Sequence, residues 1–223
     1  MKAVIFDLDD TLYPEKSYCL SGYRVVAGYL EKKGIGSEED NFALLSCLFK
    51  EDAKMLFNRF FDKIGVKYSP DDIKELIRVY REHEPRIEFF PDVMPALEAL
   101  KAEKYLLGIL SDGFALAQRN KVRALNCGEY FDKIILTDEL GRDAWKPSAK
   151  GFELLEAEYK IPAEEILYVG DNPSKDFYLK ISAGIKTARI IRSDGVYRDT
   201  PYYENVHEDY TLDSLTDIME KIK

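Results

Sequence analysis

Three acidic residues within four positions, in the segment DLDD, follow the apolar run AVIF near the start of the chain. Asp7 and Asp9 stand two apart, so on an extended segment both side chains point to the same face. Carboxylates crowded at one end of a buried strand resist ionisation unless a cation compensates their charge. The segment therefore predicts a metal site, a site that processes an anion, or both.

Further polar residues follow other apolar runs that have the character of strands. Ser111 and Asp112 end one such run and Asp171 ends another, Asp176 lies five residues beyond Asp171, and Lys146 precedes the helix that begins near Ser148. In an open α/β sheet, ligands bind outside the carboxyl ends of the strands, near the point where the strand order reverses. We therefore expect these side chains to converge with the DLDD carboxylates on one rim of a sheet.

Such a rim has the parts that phosphoryl transfer needs. A carboxylate can attack phosphorus to give an aspartyl-phosphate, and a second carboxylate can protonate the leaving oxygen and later activate water. Negative charge on the phosphoryl oxygens can be bound by Lys146 and by the Ser111 hydroxyl. Mg²⁺ prefers oxygen ligands, and Asp171 supplies one. The residues thus predict an Mg²⁺-dependent reaction of a phosphate ester.

The segments DLDDTLY, SDG, WKP and GDNPSKDF occur in this order, and together they resemble the four motifs of the haloacid dehalogenase superfamily. The resemblance implies that Asp7 is the nucleophile and Asp9 the general acid/base. It implies phosphate binding by Ser111, Asp112 and Lys146, a further role of Lys146 at the nucleophile, and Mg²⁺ binding by Asp7, Asp9 (through its backbone carbonyl), Asp171 and Asp176.

Two positions of these motifs have competing interpretations. Asp112 is also suited to cap the helix that follows it, and we favour that role over a chemical one. The loop before Lys146, which contains Trp145, is longer than in many relatives, so the contacts of the lysine are open. Asp10 is expected to be a turn residue.

Five apolar runs alternate with helical patterns, at 3–8, 105–112, 133–138, 165–171 and 187–192. Continuous apolar runs suit strands buried on both faces of a parallel sheet. Their alternation with helices predicts a doubly wound, Rossmann-like α/β fold. The polar, tyrosine-rich segment 194–211 is expected to be a surface connection that leads into a final helix.

One long interval of the chain contains helical patterns and no predicted strand. It includes one continuous pattern over 42–65 and a helix that follows Ser69, with Ser69 as its cap and Pro70 at its first position. We therefore expect a catalytic core at 1–14 and 90–223, with an all-helical domain inserted at 15–89. The resemblance identifies this insert with the family's first type of cap, which closes over the site.

Composition excludes several other classes of protein. The net charge of −9, without basic runs, argues against a nucleic-acid or anionic-membrane surface. No apolar run is long enough to cross a bilayer, and Asp7 interrupts the first run too early for a secretory signal. Three widely spaced cysteines predict reduced, mostly core-filling thiols in a cytoplasmic protein, and two histidines argue against a zinc site.

The expected function is hydrolysis of a small phosphorylated metabolite, such as a sugar phosphate, a nucleoside monophosphate or phosphoglycolate. Asp9 argues against a dehalogenase, because halide release needs no proton donor. A phosphomutase of the same family is an alternative, since it uses the same two aspartates. A receiver-like binding module, which accepts a phosphoryl group on an aspartate, is an alternative from a different class.

Overall fold

The computed structural model describes residues 1–222, and these form a six-stranded parallel sheet with helices around it. The strands in chain order are β1 (Ala3–Phe6), β2 (Leu106–Ser111), β3 (Lys133–Leu136), β4 (Ile166–Gly170), β5 (Lys186–Ile190) and β6 (Tyr210–Leu212). Their order across the sheet is β3-β2-β1-β4-β5-β6, and every neighbouring pair is parallel. The predicted α/β fold with an inserted helical region is confirmed.

Five helices lie between β1 and β2, and the others follow later strands. The helices are α1 (Glu15–Lys32), α2 (Glu38–Glu51), α3 (Leu56–Ile64), α4 (Pro70–Glu82), α5 (Val93–Ala102), α6 (Ala115–Ala124), α7 (Lys150–Tyr159), α8 (Leu179–Ser182) and α9 (Ile218–Lys221). Short 3-10 turns connect several of them. Over residues 1–222, none of these helices combines the length and the apolar character that a membrane span requires.

Strand β1 is the centre of the sheet and is buried on both faces. Ala3 and Ile5 point to one face, where they pack with Phe152 and Leu155 of α7. The alternate side chains, including Phe6, point to the opposite face and are also buried. Burial on both faces explains why the sequence of this strand is continuously apolar.

Two predictions about individual elements are wrong. The pattern over 42–65 forms two helices, α2 and α3, because the chain turns at Asp52–Met55 and Met55 adopts a left-handed conformation with φ of 52°. The expected surface connection at 194–211 ends in β6, which pairs with β5. By contrast, Ser69 caps α4 as predicted, with Pro70 in the first turn and Asp72 completing a capping box.

The described chain divides into two compact units. The sheet unit comprises Met1–Glu15 and the chain from Ile87 onward, and the helical unit is Lys16–Arg86. The helical unit has an apolar core of its own. That core includes Tyr23, Val26, Ala27, Leu30, Leu45, Leu48, Phe60, Phe61 and Leu76.

The cysteines differ in their environments. Cys127 is buried in the sheet unit, where burial raises the pKa of its thiol to about 12. Cys19 is partly buried against the core of the helical unit, and Cys47 is exposed on α2, so the prediction of mostly core-filling thiols is right, with Cys47 as the exception.

Candidate active site

The central position of β1 brings the predicted site residues together. Its neighbours are β2 on one side and β4 on the other. The chain adds β2 and β3 on the first side and β4, β5 and β6 on the second, so the strand order reverses at β1. Asp7 follows β1, Ser111 ends β2 and Asp171 follows β4, so all three lie at the carboxyl edge of adjacent strands. This is the edge at which open α/β sheets bind ligands.

Asp7 is buried beside a buried lysine. Its backbone N–H donates to the carbonyl of Val169 at 2.8 Å, which extends the pairing of β1 with β4 by one residue. Its Oδ1 lies 2.9 Å from Lys146 Nζ. Burial raises the pKa of Asp7 to about 6, the Lys146 cation acts against this shift, and the Asp176 carboxylate adds to it. Asp7 is therefore mostly ionised at neutral pH.

Three buried carboxylates form a group that could hold a metal ion. Asp7, Asp171 and Asp176 each offer one oxygen, and these oxygens lie within 4.8 Å of one another. Burial, followed by the charges of Asp176 and Asp7, raises the pKa of Asp171 well above its ordinary value. A divalent cation with oxygen ligands would relieve this repulsion, so the donor set fits Mg²⁺.

Asp176 is held by the loop that follows β4. Its Oδ2 accepts the backbone N–H of Asn172 at 2.9 Å, and its Oδ1 lies 2.9 Å from Lys146 Nζ. The hydroxyl of Tyr168, which points from β4, contacts both Lys146 and Asp176. The lysine therefore bridges two of the three carboxylates while a tyrosine fixes its position.

The Asp9 carboxylate lies outside this group of three and has different partners. Its Oδ1 pairs with Lys121 Nζ at 2.7 Å and accepts a hydrogen bond from the Tyr13 hydroxyl, while its Oδ2 accepts from Gln118 Nε2 at 3.0 Å. Burial alone would raise the pKa of Asp9, but the Lys121 cation and the hydrogen bonds outweigh it and lower the pKa. Asp9 is thus ionised in the resting protein.

Ser111 and Asp112 lie at the end of β2 and have distinct contacts. Ser111 Oγ accepts from Gln118 Nε2 at 2.6 Å. Asp112 does not cap α6, because Asp138 accepts the N–H of Ala115 at 3.0 Å. Its carboxylate instead accepts from Thr137 Oγ1 at 2.8 Å and pairs with Lys175 Nζ at 3.0 Å. The expected capping role is therefore wrong.

The loop that contains Trp145 fixes the backbone position of Lys146 through a hydrogen bond and a packed aromatic ring. The backbone N–H of Lys146 donates to Asp112 Oδ1 at 3.1 Å, and the Arg142 guanidinium lies over the Trp145 ring at 3.7 Å. The longer loop thus delivers the lysine to Asp7. Asp10 adopts a left-handed turn and accepts the N–H groups of Glu15 and Val196, as expected of a turn residue.

Sequence reasoning did not assign Gln118, Lys121 or Lys175 to the site. Gln118 and Lys121 are spaced i and i+3, which places them on one face of α6, and both are buried. Lys175 directly precedes Asp176 in the sequence. The available signal was the i, i+3 pair of polar residues in the helix that follows the SDG motif.

The model of the family described as haloacid dehalogenase-like hydrolase matches residues 4–190 of this chain. The chain belongs to this family. The matched region includes every predicted site residue, from Asp7 to Asp176. Membership of the haloacid dehalogenase-like hydrolases argues against the receiver-like binding module.

Haloacid dehalogenase-like hydrolases of known name and structure resemble this chain over its whole length. The glyceraldehyde 3-phosphate phosphatase of Methanocaldococcus jannaschii is 28% identical, with 100% of this chain and 97% of that protein covered. The crystal structure of a HAD phosphatase from Thermococcus onnurineus is 28% identical, covers 100% of this chain and 98% of that one, and has a TM-score of 0.63.

A second solved structure shares the fold at lower identity. The putative HAD-hydrolase YfnB from Bacillus subtilis, solved bound to magnesium, is 17% identical and has a TM-score of 0.71. The alignment covers 100% of this chain and 98% of that one.

Proposed function

We propose that this protein is an Mg²⁺-dependent phosphatase that hydrolyses a small phosphomonoester through an aspartyl-phosphate on Asp7. One observation carries the proposal: the buried Lys146 ammonium lies 2.9 Å from both Asp7 and Asp176, beside the Asp171 carboxylate. An ionised nucleophile, a fixed cation and a group of hard oxygen ligands are the parts that phosphoryl transfer to a carboxylate requires.

The residues that would hold Mg²⁺ are Asp7, Asp171 and Asp176, together with the backbone carbonyl of Asp9. When bound, the ion supplies positive charge to the crowded carboxylates and to the phosphoryl oxygens. The magnesium in the YfnB structure supports this choice of metal.

The side chains of this chain would act in two successive displacements. In the first, Asp7 attacks phosphorus, Ser111 and Lys146 bind the phosphoryl oxygens, and Asp9 gives its proton to the leaving oxygen. In the second, Asp9 takes a proton from the water that attacks the aspartyl-phosphate, and Asp7 is released. Lys146 keeps Asp7 ionised and oriented before the first displacement.

The ionised resting state of Asp9 suits the second displacement directly. The first displacement needs a proton on Asp9. Burial raises the pKa of Asp9, but Lys121, Tyr13 and Gln118 lower it by more, so the carboxylate does not hold a proton by itself. A phosphate dianion bound beside the carboxylate repels it and therefore raises its pKa. Substrate binding would thus favour the protonated form at the moment when it is needed.

The relatives suggest which phosphomonoesters to test first. Glyceraldehyde 3-phosphate phosphatases are similar to this chain over its full length, so three-carbon sugar phosphates are the first candidates. Nucleoside monophosphates and phosphoglycolate complete the panel. Transfer of the phosphoryl group to a second sugar hydroxyl, instead of to water, would identify a phosphomutase.

The test measures phosphate release from this panel with and without Mg²⁺. Asp7→Asn should abolish turnover, and Asp9→Asn should lower it about 10²–10⁴-fold, as expected for a general acid/base. Asp213→Asn, the same change at an exposed position, is the matched control, and we expect it to keep wild-type activity.

Two outcomes would contradict the proposal. Wild-type turnover in excess chelator would contradict the metal assignment. Turnover that survives Asp7→Asn would contradict the covalent mechanism.

A further inference from the structure

We propose that Gln118 is a positioning residue that holds Asp9 and Ser111 together, so that proton transfer and phosphate binding occur in one arrangement. The inference rests on the proposed phosphatase function, because it concerns how the acid/base and the phosphate-binding hydroxyl of that reaction are placed.

The Gln118 carboxamide contacts three groups from two different strands. Its Nε2 lies 3.0 Å from Asp9 Oδ2, 2.6 Å from Ser111 Oγ and 2.9 Å from the carbonyl oxygen of Asp112. The side chain is only 1% exposed. One buried amide therefore joins the segment after β1 to the end of β2.

The chemistry of the partners fixes the orientation of this amide. A carboxylate and a backbone carbonyl only accept hydrogen bonds, so the atom that faces Asp9 and Asp112 must be the nitrogen. The two hydrogens of this nitrogen are shared among the three acceptors, so Ser111 Oγ accepts from it and the hydroxyl hydrogen must point elsewhere. That hydrogen is available to a phosphoryl oxygen, which only accepts.

The backbone around Gly113 is arranged to bring Gln118 to this place. Gly113 has φ of 130°, a conformation that side chains rarely adopt, and a Cβ there would lie 3.1 Å from the Gln118 side chain. One turn later on α6, Lys121 binds the other oxygen of Asp9 at 2.7 Å. The same helix therefore fixes both oxygens of the Asp9 carboxylate.

A displaced Asp9 has different effects on different esters. When Asp7 forms its bond to phosphorus, the ester P–O bond breaks and its oxygen takes the electron pair. An alkoxide leaving group needs a proton from Asp9, whereas p-nitrophenolate leaves as a stable anion without one. A residue that positions Asp9 therefore contributes more to the cleavage of alkyl esters than to the cleavage of p-nitrophenyl phosphate.

The experiment compares kcat/KM for the best alkyl phosphomonoester and for p-nitrophenyl phosphate, in Mg²⁺. This parameter ends at ester cleavage, so the later hydrolysis of the aspartyl-phosphate does not affect it. For Gln118→Met, which keeps the length and removes the donor, we expect the alkyl-to-aryl ratio to fall at least about tenfold. Arg119→Met, which removes an exposed cation of the same helix paired with Glu139, should leave the ratio unchanged.

A double variant tests whether the effect passes through Asp9. In an Asp9→Asn background, Gln118→Met should change the ratio no further, because residues that act through one group are not additive. Thermal unfolding verifies that each variant is folded. Gln118→Glu, which keeps the shape and places an acceptor against Asp9, serves as a second variant if Gln118→Met does not fold.

The outcomes separate this inference from the function on which it rests. An equal loss on both esters in a folded variant, or an effect on the ratio that is additive with that of Asp9→Asn, would overturn the positioning of Asp9 and with it the proposal, while leaving the phosphatase function intact. A folded wild-type protein that hydrolyses neither ester in Mg²⁺ would overturn the proposed function, and the positioning role would fall with it.

Discussion

Lys146 is the residue on which the charge balance of the site depends. Its side chain is fully buried, and its ammonium lies between the carboxylates of Asp7 and Asp176. A buried ammonium is unfavourable by itself, but the two carboxylates outweigh burial and hold the pKa of Lys146 above its ordinary value. The buried charge of the lysine is therefore stabilised by the two carboxylates, and their charges are stabilised by the lysine.

Lys146→Met should impair both activity and folding. Removing the cation leaves buried carboxylates without compensation, which typically lowers the free energy of unfolding by about 3–5 kcal/mol. We expect turnover to fall at least about 10²-fold as well, because the phosphoryl oxygens lose a cation. Urea unfolding and phosphate release measure the two effects. Lys150→Met, which breaks an exposed pair with Asp143, is the control and should change neither.

The raised pKa of Asp7 predicts an acidic limb in the pH dependence of kcat. In the proposed reaction Asp7 must be ionised to attack phosphorus, and burial raises its pKa to about 6, so activity should fall as the pH decreases through that value. The parameter to measure is kcat, which reports ionisations in the enzyme–substrate complex. The alternative, kcat/KM, would also respond to the free phosphomonoester, which itself ionises with a pKa of about 6. Mg²⁺ stabilises the carboxylate, so the limb should move to lower pH as the concentration of Mg²⁺ rises. A limb that does not respond to Mg²⁺ would show that another group titrates.

At the level of elements, the last residue of β4 is Gly170, and the Asp176 carboxylate lies close against it. A Cβ added to Gly170 would lie 2.4 Å from Asp176 Oδ2, a distance that real contacts do not reach. The Asp176 side chain itself accepts the N–H of Asn172 and contacts Lys146, so it has little freedom to move away. Glycine is therefore needed at position 170 because a larger residue would collide with the Asp176 carboxylate, and not because the strand needs the conformational freedom of glycine.

Gly170→Ala should displace Asp176 and weaken Mg²⁺ binding. We expect the Mg²⁺ concentration at half-maximal activity to rise about 10–100-fold, as is typical when the support of a metal ligand is disturbed. A magnesium titration of the rate measures it. Gly128→Ala is the matched control, because a Cβ there meets nothing within 4 Å. An unchanged titration for Gly170→Ala would mean that Asp176 does not support the ion.

The elements that position the site could be predicted because their signals are local. Continuous apolar runs identify buried strands, and polar residues at the ends of these strands identify the rim. The break between α2 and α3 could not be predicted, because apolar residues recur at helical spacing on both sides of Met55. Strand β6 is only three residues long and depends on its pairing with β5. Gln118 was not assigned, because its i, i+3 spacing with Lys121 is equally typical of a solvated helix face until the neighbours of that face are known.

For the whole molecule, the acidic site sets how stability depends on pH. Burial is the main cause of a raised pKa in Asp7, to about 6, and in Glu15, to about 8. Asp171 is shifted in the same direction. An acid with a raised pKa in the folded state contributes stability at low pH and loses it as the pH rises through that pKa. The metal-free protein should therefore become less stable between about pH 4 and pH 8.

Mg²⁺ should reverse this loss and therefore stabilise the protein more at pH 8 than at pH 5. At low pH the carboxylates are protonated and bind the ion poorly, whereas at pH 8 they are ionised and repel one another without it. At 100 times its dissociation constant, a ligand of the folded state adds about 2.7 kcal/mol to the free energy of unfolding. Urea unfolding at both pH values, in Mg²⁺ and in chelator, measures the difference. Asp171→Asn should remove most of the gain, and an equal gain at both pH values would mean that the ion does not bind these carboxylates.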